Sequence, residues 1–203
     1  MTAYPSPSTL TAPTRHRITV DEYERMITAN VWPEDERLEL IEGEIIAMSP
    51  LNAPHAYTVR TLLQLLVEAL RGRALVDAQN PIRLDDGTRP EPDVMLLRSP
   101  AMQYRRRLPA PADVFLIIEV SDTTLDYDRT VKTPLYARAG IPETWVVDLN
   151  GRRLIVFRAL EDGEYTQMES VRSGASMALA AFPEITLRVD DILGEASSLA
   201  DSE

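Results

Sequence analysis

The sequence contains no cysteine. That excludes a disulfide framework and any thiolate metal site. It also has no apolar run near the roughly 20 residues needed to span a bilayer. The longest, Leu62 to Leu70, is interrupted by Gln64 and Glu68. The opening stretch MTAYPSPSTLTAPTRHR has no apolar centre of the kind a signal peptide needs. These absences lead us to expect a cytoplasmic chain with no membrane partner. Positive charge is scarce too: 21 Lys and Arg against 32 Asp and Glu leave a net charge of −11. A field of that sign opposes nonspecific attraction to nucleic acid or anionic membrane. The basic residues are unevenly spread, however. Arg105, Arg106 and Arg107 form one run, so an acidic protein could still present a local basic surface.

What is present suits one globular domain. The chain has 203 residues, 44% hydrophobic and 26% charged, enough for a sizeable core. The Pro-, Ser- and Thr-rich residues 1–17 read as a mobile arm, 18–193 as a single domain, and 194–203 as a frayed tail. A short helix is expected from Asp21, taken as its N-cap. ERLELIEGEIIAMSP reads as a hairpin around Gly43. Asn52 and Pro54 open the clearest helix, HAYTVRTLLQLLVEALRG, whose Val59, Leu62, Leu63, Leu66 and Leu70 recur at helical spacing.

Three strands should follow, in ALVDAQNPIRL, PDVMLLR and DVFLIIEVS. A helix over roughly 128–139 comes next, then the strand ETWVVDL, an Asn150-Gly151 hairpin turn and the strand RRLIVFRAL. Asp162-Gly163 turns the chain into EYTQMES, and ITLRVDDIL completes the domain. Short turns favour antiparallel neighbours, and a helical crossover favours a parallel addition. The fold class is therefore α/β (α+β): a mixed central sheet flanked by helices, with an N-terminal hairpin and extra C-terminal strands.

Two carboxylates stand out by their setting. Asp93 opens an apolar strand after Pro92, and Glu119 lies near the end of VFLIIEV. If those strands are antiparallel neighbours, both acids fall at one sheet edge. Close carboxylates repel. A hard divalent cation such as Mg²⁺ or Mn²⁺ relieves the repulsion. Lys132 follows on the next helix, four residues after Asp128, a favourable pairing order. Pro134 should kink that helix or delay its start. Plainer roles stay open: a strand-start Asp93, a Glu119–Arg89 salt bridge, a surface Asp128–Lys132 pair, and His55 as a first-turn polar residue. On the same footing Glu44 is a solvated hairpin residue, and Arg105–Arg107 a solvated loop or a set of phosphate contacts.

PEPDVMLL, LIIEVSDTTLDYDRTVK and PLYARAGIPETWVVDL, in that order, resemble the Uma-type family of restriction-endonuclease-like proteins. That family is placed in the PD-(D/E)XK nuclease superfamily. The resemblance runs from about Tyr23 to Phe157 and includes LELIEGEIIAMSP and His55. It implies a restriction-endonuclease-like core and a metal-dependent nuclease acting on nucleic acid, with DNA the expected substrate. Asp93 matches the Asp of the PD motif, and Glu119 matches the acid of (D/E)XK. Ser121 stands where the superfamily pattern has lysine, and Lys132 matches the family's displaced lysine. Glu44 and His55 match family positions as well. The implied roles are metal binding by Asp93 and Glu119, charge stabilisation by Lys132, support from Asp128 and His55, and an acid from Glu44. Cutting both strands of a duplex is simplest with a homodimer. Two rivals keep the fold: a nucleic-acid-binding or regulatory module of weak turnover, and an interaction domain stabilised by metal.

Overall fold

A computed structural model of the chain describes residues 14–33 and 35–194. The expected arm through residue 13 and the expected tail from 195 lie outside the described residues. Helix α1 spans Val20–Thr28. Its N-cap is Thr19 rather than Asp21. Thr19 and Glu22 form a reciprocal capping box that satisfies two first-turn amides. Strands β1 (Leu38–Ile41) and β2 (Glu44–Ala47) make the N-terminal hairpin, a sheet of its own. Leu38 and Leu40 turn one face of β1 onto Val20 and Tyr23 of α1. By the two-residue strand period, Glu39 belongs to the other face.

Helix α2 (Ala53–Leu70) starts as expected, with the Asn52 side chain accepting the His55 amide and Pro54 in the first turn. The central sheet follows: β3 (Leu75–Ala78), β4 (Val94–Leu97), β5 (Val114–Ser121), β6 (Thr144–Asp148), β7 (Arg153–Glu161) and β8 (Glu164–Arg172). These six strands pair in chain order. All pairings are antiparallel except β5 with β6. The crossover between those two supplies the parallel pair. Alternation along β4 and β5 divides the core. Val94, Leu96, Leu116, Ile118 and Val120 pack with Leu62, Leu66 and Leu70 of α2. Met95, Leu97 and Ile117 face the opposite layer, with Tyr136 and Ile141.

The β5–β6 crossover is not one regular helix. A turn of helix, α3 (Leu125–Tyr127), leads into a wide π-type turn over Asp128–Lys132, then into α4 (Thr133–Ala139). Pro134 accounts for this. It has no amide to give the Thr130 carbonyl, and its ring would crowd that carbonyl. The chain widens by one residue, and the Thr133 amide reaches back to the Asp128 carbonyl. The Asn150-Gly151 turn also differs from expectation. Positive φ falls on Arg152, at 47°, and not on the Asn-Gly pair. Finally, β9 (Ser176–Leu179) and β10 (Phe182–Arg188) form a second small hairpin, capped by α5 (Val189–Leu193). Met177, Leu179, Ile185 and Leu187 add it to the α2 layer of the core.

Candidate active site

The β4–β5 register sets the site. Val94 pairs with Ile118 and Met95 with Ile117. One step further, Asp93 stands opposite Glu119, on the face that carries Ile117. The side chain of Asp93 closes this end of the pair: its Oδ2 accepts the Val120 amide at 2.8 Å. Its Oδ1 lies 3.1 Å from Nε2 of His55, delivered by the first turn of α2. Both carboxylates line one cavity of about 320 Å³, together with His55, Asp128 and Lys132.

Lys132 arrives from the π-type turn. Its ammonium is buried and lies 2.8 Å from Glu39 Oε1 and 3.3 Å from Glu119 Oε1. Glu39 Oε1 also accepts the Glu91 amide at 2.7 Å. One carboxylate thus joins the N-terminal hairpin, the approach to Asp93 and the lysine. The Tyr136 hydroxyl donates to Glu119 Oε1 as well. Neither Glu39 Oε2 nor Glu119 Oε2 has a hydrogen-bond partner in the chain among the described residues.

The plainer reading of Asp128 and Lys132 as a surface pair does not hold. Both residues are buried. Asp128 Oδ2 accepts the hydroxyls of Ser121 at 2.7 Å and Thr124 at 2.6 Å, and it acts on Lys132 only through space. Arg89 is not the partner of Glu119. It stacks over Tyr23 and bonds to Glu91. Glu44 is exposed on β2 and lies off the cavity. The buried acid of that hairpin is Glu39, which sequence reasoning missed. Arg105, Arg106 and Arg107 are exposed in the β4–β5 connection. That connection joins the ends at Leu97 and Val114, whereas the site lies beyond Val94 and Ile118. The length of β4 separates the two by about 10 Å or more. Arg107 is also held by Asp113.

The electrostatics are those of a crowded acidic cavity. Burial pushes Glu119 well above the usual carboxylate range, against the pull of Lys132, and Asp128 and Asp93 add to the rise. Burial also raises Asp128 despite Lys132 and its two hydroxyl donors. For Lys132, burial works to strip the proton. Glu119, Glu39 and Asp128 together outweigh it and hold the ammonium above its ordinary range. Burial, then Glu119, drive the Tyr136 hydroxyl strongly upward, so it stays a donor.

These residues fit a hard cation. Five acids (Glu39, Asp93, Glu119, Asp122 and Asp128) line the cavity against Arg37 and Lys132. Two buried polar atoms of cavity-lining residues, His55 Nδ1 and the Tyr127 hydroxyl, have no partner among the described residues. Among the described residues no three His, Asp or Glu side chains form a preassembled cage.

The sequence matches the family described as Uma2, putative restriction endonuclease, over residues 20–190. The chain belongs to the Uma2 family. Its fold is similar to a crystal structure described as a putative nuclease belonging to DUF820 from Anabaena variabilis. The TM-score is 0.67 at 18% identity, covering 87% of this chain and 97% of that one. At that identity the likeness speaks to fold alone. No curated protein matches the chain. Membership in Uma2 accords with a nuclease role on a restriction-endonuclease-like fold, and the cavity at the Asp93–Glu119 edge is its candidate centre.

Proposed function

We propose that this Uma2 protein is a divalent-metal-dependent endonuclease that hydrolyses phosphodiester bonds in DNA. The observation that carries the reading is the meeting of Asp93, Glu119 and Lys132 in one cavity, from two adjacent strands and the crossover between β5 and β6. Asp93 and Glu119 would hold the ion, with the Val120 carbonyl as a further oxygen donor. When bound, Mg²⁺ or Mn²⁺ supplies Lewis acidity and an activated water. Lys132 meets the negative charge that develops on the phosphoryl oxygens. Glu39 fixes the Lys132 ammonium, and Tyr136 fixes one oxygen of Glu119, leaving the other toward the cavity. His55 orients Asp93, while Ser121 and Thr124 keep Asp128 in place beneath the lysine. Glu39 takes the role that the resemblance suggested for Glu44.

The test is incubation with plasmid, single-stranded DNA and RNA, in Mg²⁺, Mn²⁺ or chelator. Cleavage of DNA is expected with metal, none with chelator, and at least a 10²-fold loss in Asp93→Ala and in Lys132→Ala. Binding without cleavage would replace this reading with a binding module. One observation favours that alternative: the lysine is already engaged by two carboxylates.

A further inference from the structure

Strand β8 borders the six-stranded sheet. Among the described residues no strand pairs with its outer edge. Exposed edges invite pairing with another chain, and proteins commonly blunt them by shortness, proline, charged side chains (lysine above all), bulges or a covering element. The opposite border, β3, has only four residues. β8 has nine, EYTQMESVR, with no proline, glycine or lysine. Its centre is exposed on both faces, and Met168 retains 60% of its surface. Glu164 and Arg172 stand at its two ends. Both are exposed, and neither makes an ion pair among the described residues.

We propose that β8 pairs antiparallel with β8 of a second copy of this chain, about a two-fold axis through Met168. A two-fold perpendicular to the sheet keeps every side chain on its own face. The axis must then pass through a residue, because facing residues share a face. Only Met168 as centre overlaps all of β8. That register sets Glu164 against Arg172 at both ends, Tyr165 against Val171, Thr166 against Ser170, and Met168 against itself. Opposite charges, hydroxyl pairs and aromatic–β-branched pairs are the stabilising cross-strand combinations. Centring on Glu169 would set that carboxylate against its own copy. Centring on Gln167 would set Tyr165 against Glu169 and leave Arg172 unmatched. The strand is self-complementary in one register, and the two sheets become continuous.

Sedimentation of the full chain over a concentration series tests this, independently of any nuclease activity. A strand-edge contact is small, so a reversible dimer in the micromolar range is expected. Met168→Lys sets two ammoniums on the axis and should give monomer with an unchanged melting temperature. Arg172→Glu should weaken the dimer at least tenfold, and adding Glu164→Arg should restore it. Since the chain has no cysteine, Met168→Cys should oxidise to a covalent dimer while Val67→Cys, exposed on α2, should not. Wild-type monomer throughout, a dimer indifferent to Met168→Lys, failure of the double charge reversal, or equal crosslinking at both cysteine positions would overturn the proposal.

Discussion

Burial alone would strip the proton from Lys132, and three carboxylates prevent it. Of these, Glu39 makes the shortest contact, at 2.8 Å. Glu39→Gln keeps the shape and the acceptor for the Glu91 amide but removes the charge. A charge-assisted hydrogen bond to a buried group contributes about 1.5–3 kcal/mol. If that is felt in the transition state, single-turnover cleavage should fall by roughly 10–10². Substrate affinity should hardly change. Glu44→Gln, on the exposed strand face, should cut like wild type. Equal effects at the two positions would remove Glu39 from the site. The contrast also marks how far residues can be read from sequence. Asp93 and Glu119 were legible because an acid beside an apolar run is costly unless it is used. Glu39 was not. LELIEGE offers three glutamates, and only contacts with the Glu91 segment and Lys132, far along the chain, bury one of them. Asp128 does line the cavity with Lys132, but the direct four-residue pairing read from helical spacing fails once Pro134 widens the turn.

Among the elements, the β9–β10 hairpin is tied to the central sheet in part through one buried acid. Glu143 precedes β6 and is 1% exposed. It accepts the indole of Trp145 at 2.9 Å, Arg158 of β7 at 2.7 Å, and the Ala180 amide in the β9–β10 turn at 2.9 Å. Glu143→Ala leaves the Trp145 indole and the Ala180 amide without an acceptor and takes the carboxylate from Arg158, which keeps only the Ala178 carbonyl at 3.3 Å and the Met177 sulfur. Destabilisation of about 3 kcal/mol is expected from denaturant melts, at the lower end for a broken buried pair because Arg158 is partly exposed. Amides of β9 and β10 should lose exchange protection before those of β4 and β5. A uniform loss would show the hairpin is not separately tied. The elements themselves were uneven to read. The helix α2 and strands β4 to β8 announced themselves through period, length and turn residues. The β9–β10 hairpin did not. Pro183 interrupts its second strand, the first has four residues, and the pairing shifts register between Phe182 and Thr186.

At the scale of the whole molecule, the short turns and one helical crossover made the mixed sheet legible, because connection type constrains strand direction. The placement of the charges was not, since composition counts acids without saying which are buried. That placement governs how stability responds to pH. Glu119, Asp128 and Glu143 all titrate above the ordinary carboxylate range in the folded protein, with burial the leading cause. A carboxyl whose folded pKa is raised binds its proton more tightly folded than unfolded. Its contribution is fully present below the unfolded pKa and is lost as pH rises through the folded value. The melting temperature should therefore rise as pH falls from 8 toward 5, and the net charge of −11 adds self-repulsion in the same direction. Asp113, Glu184 and Asp190 are held below their ordinary range by hydrogen bonds, and they oppose the trend only below about pH 4. A divalent ion reverses the balance inside the cavity, because it binds the ionised carboxylates and must displace protons at low pH. Added Mg²⁺ should raise the melting temperature at pH 8 and do little at pH 5. In Asp93→Asn that increment should vanish at both. A metal-induced increment that is the same at pH 5 and pH 8, or that survives in Asp93→Asn, would move the cation away from the Asp93–Glu119 edge.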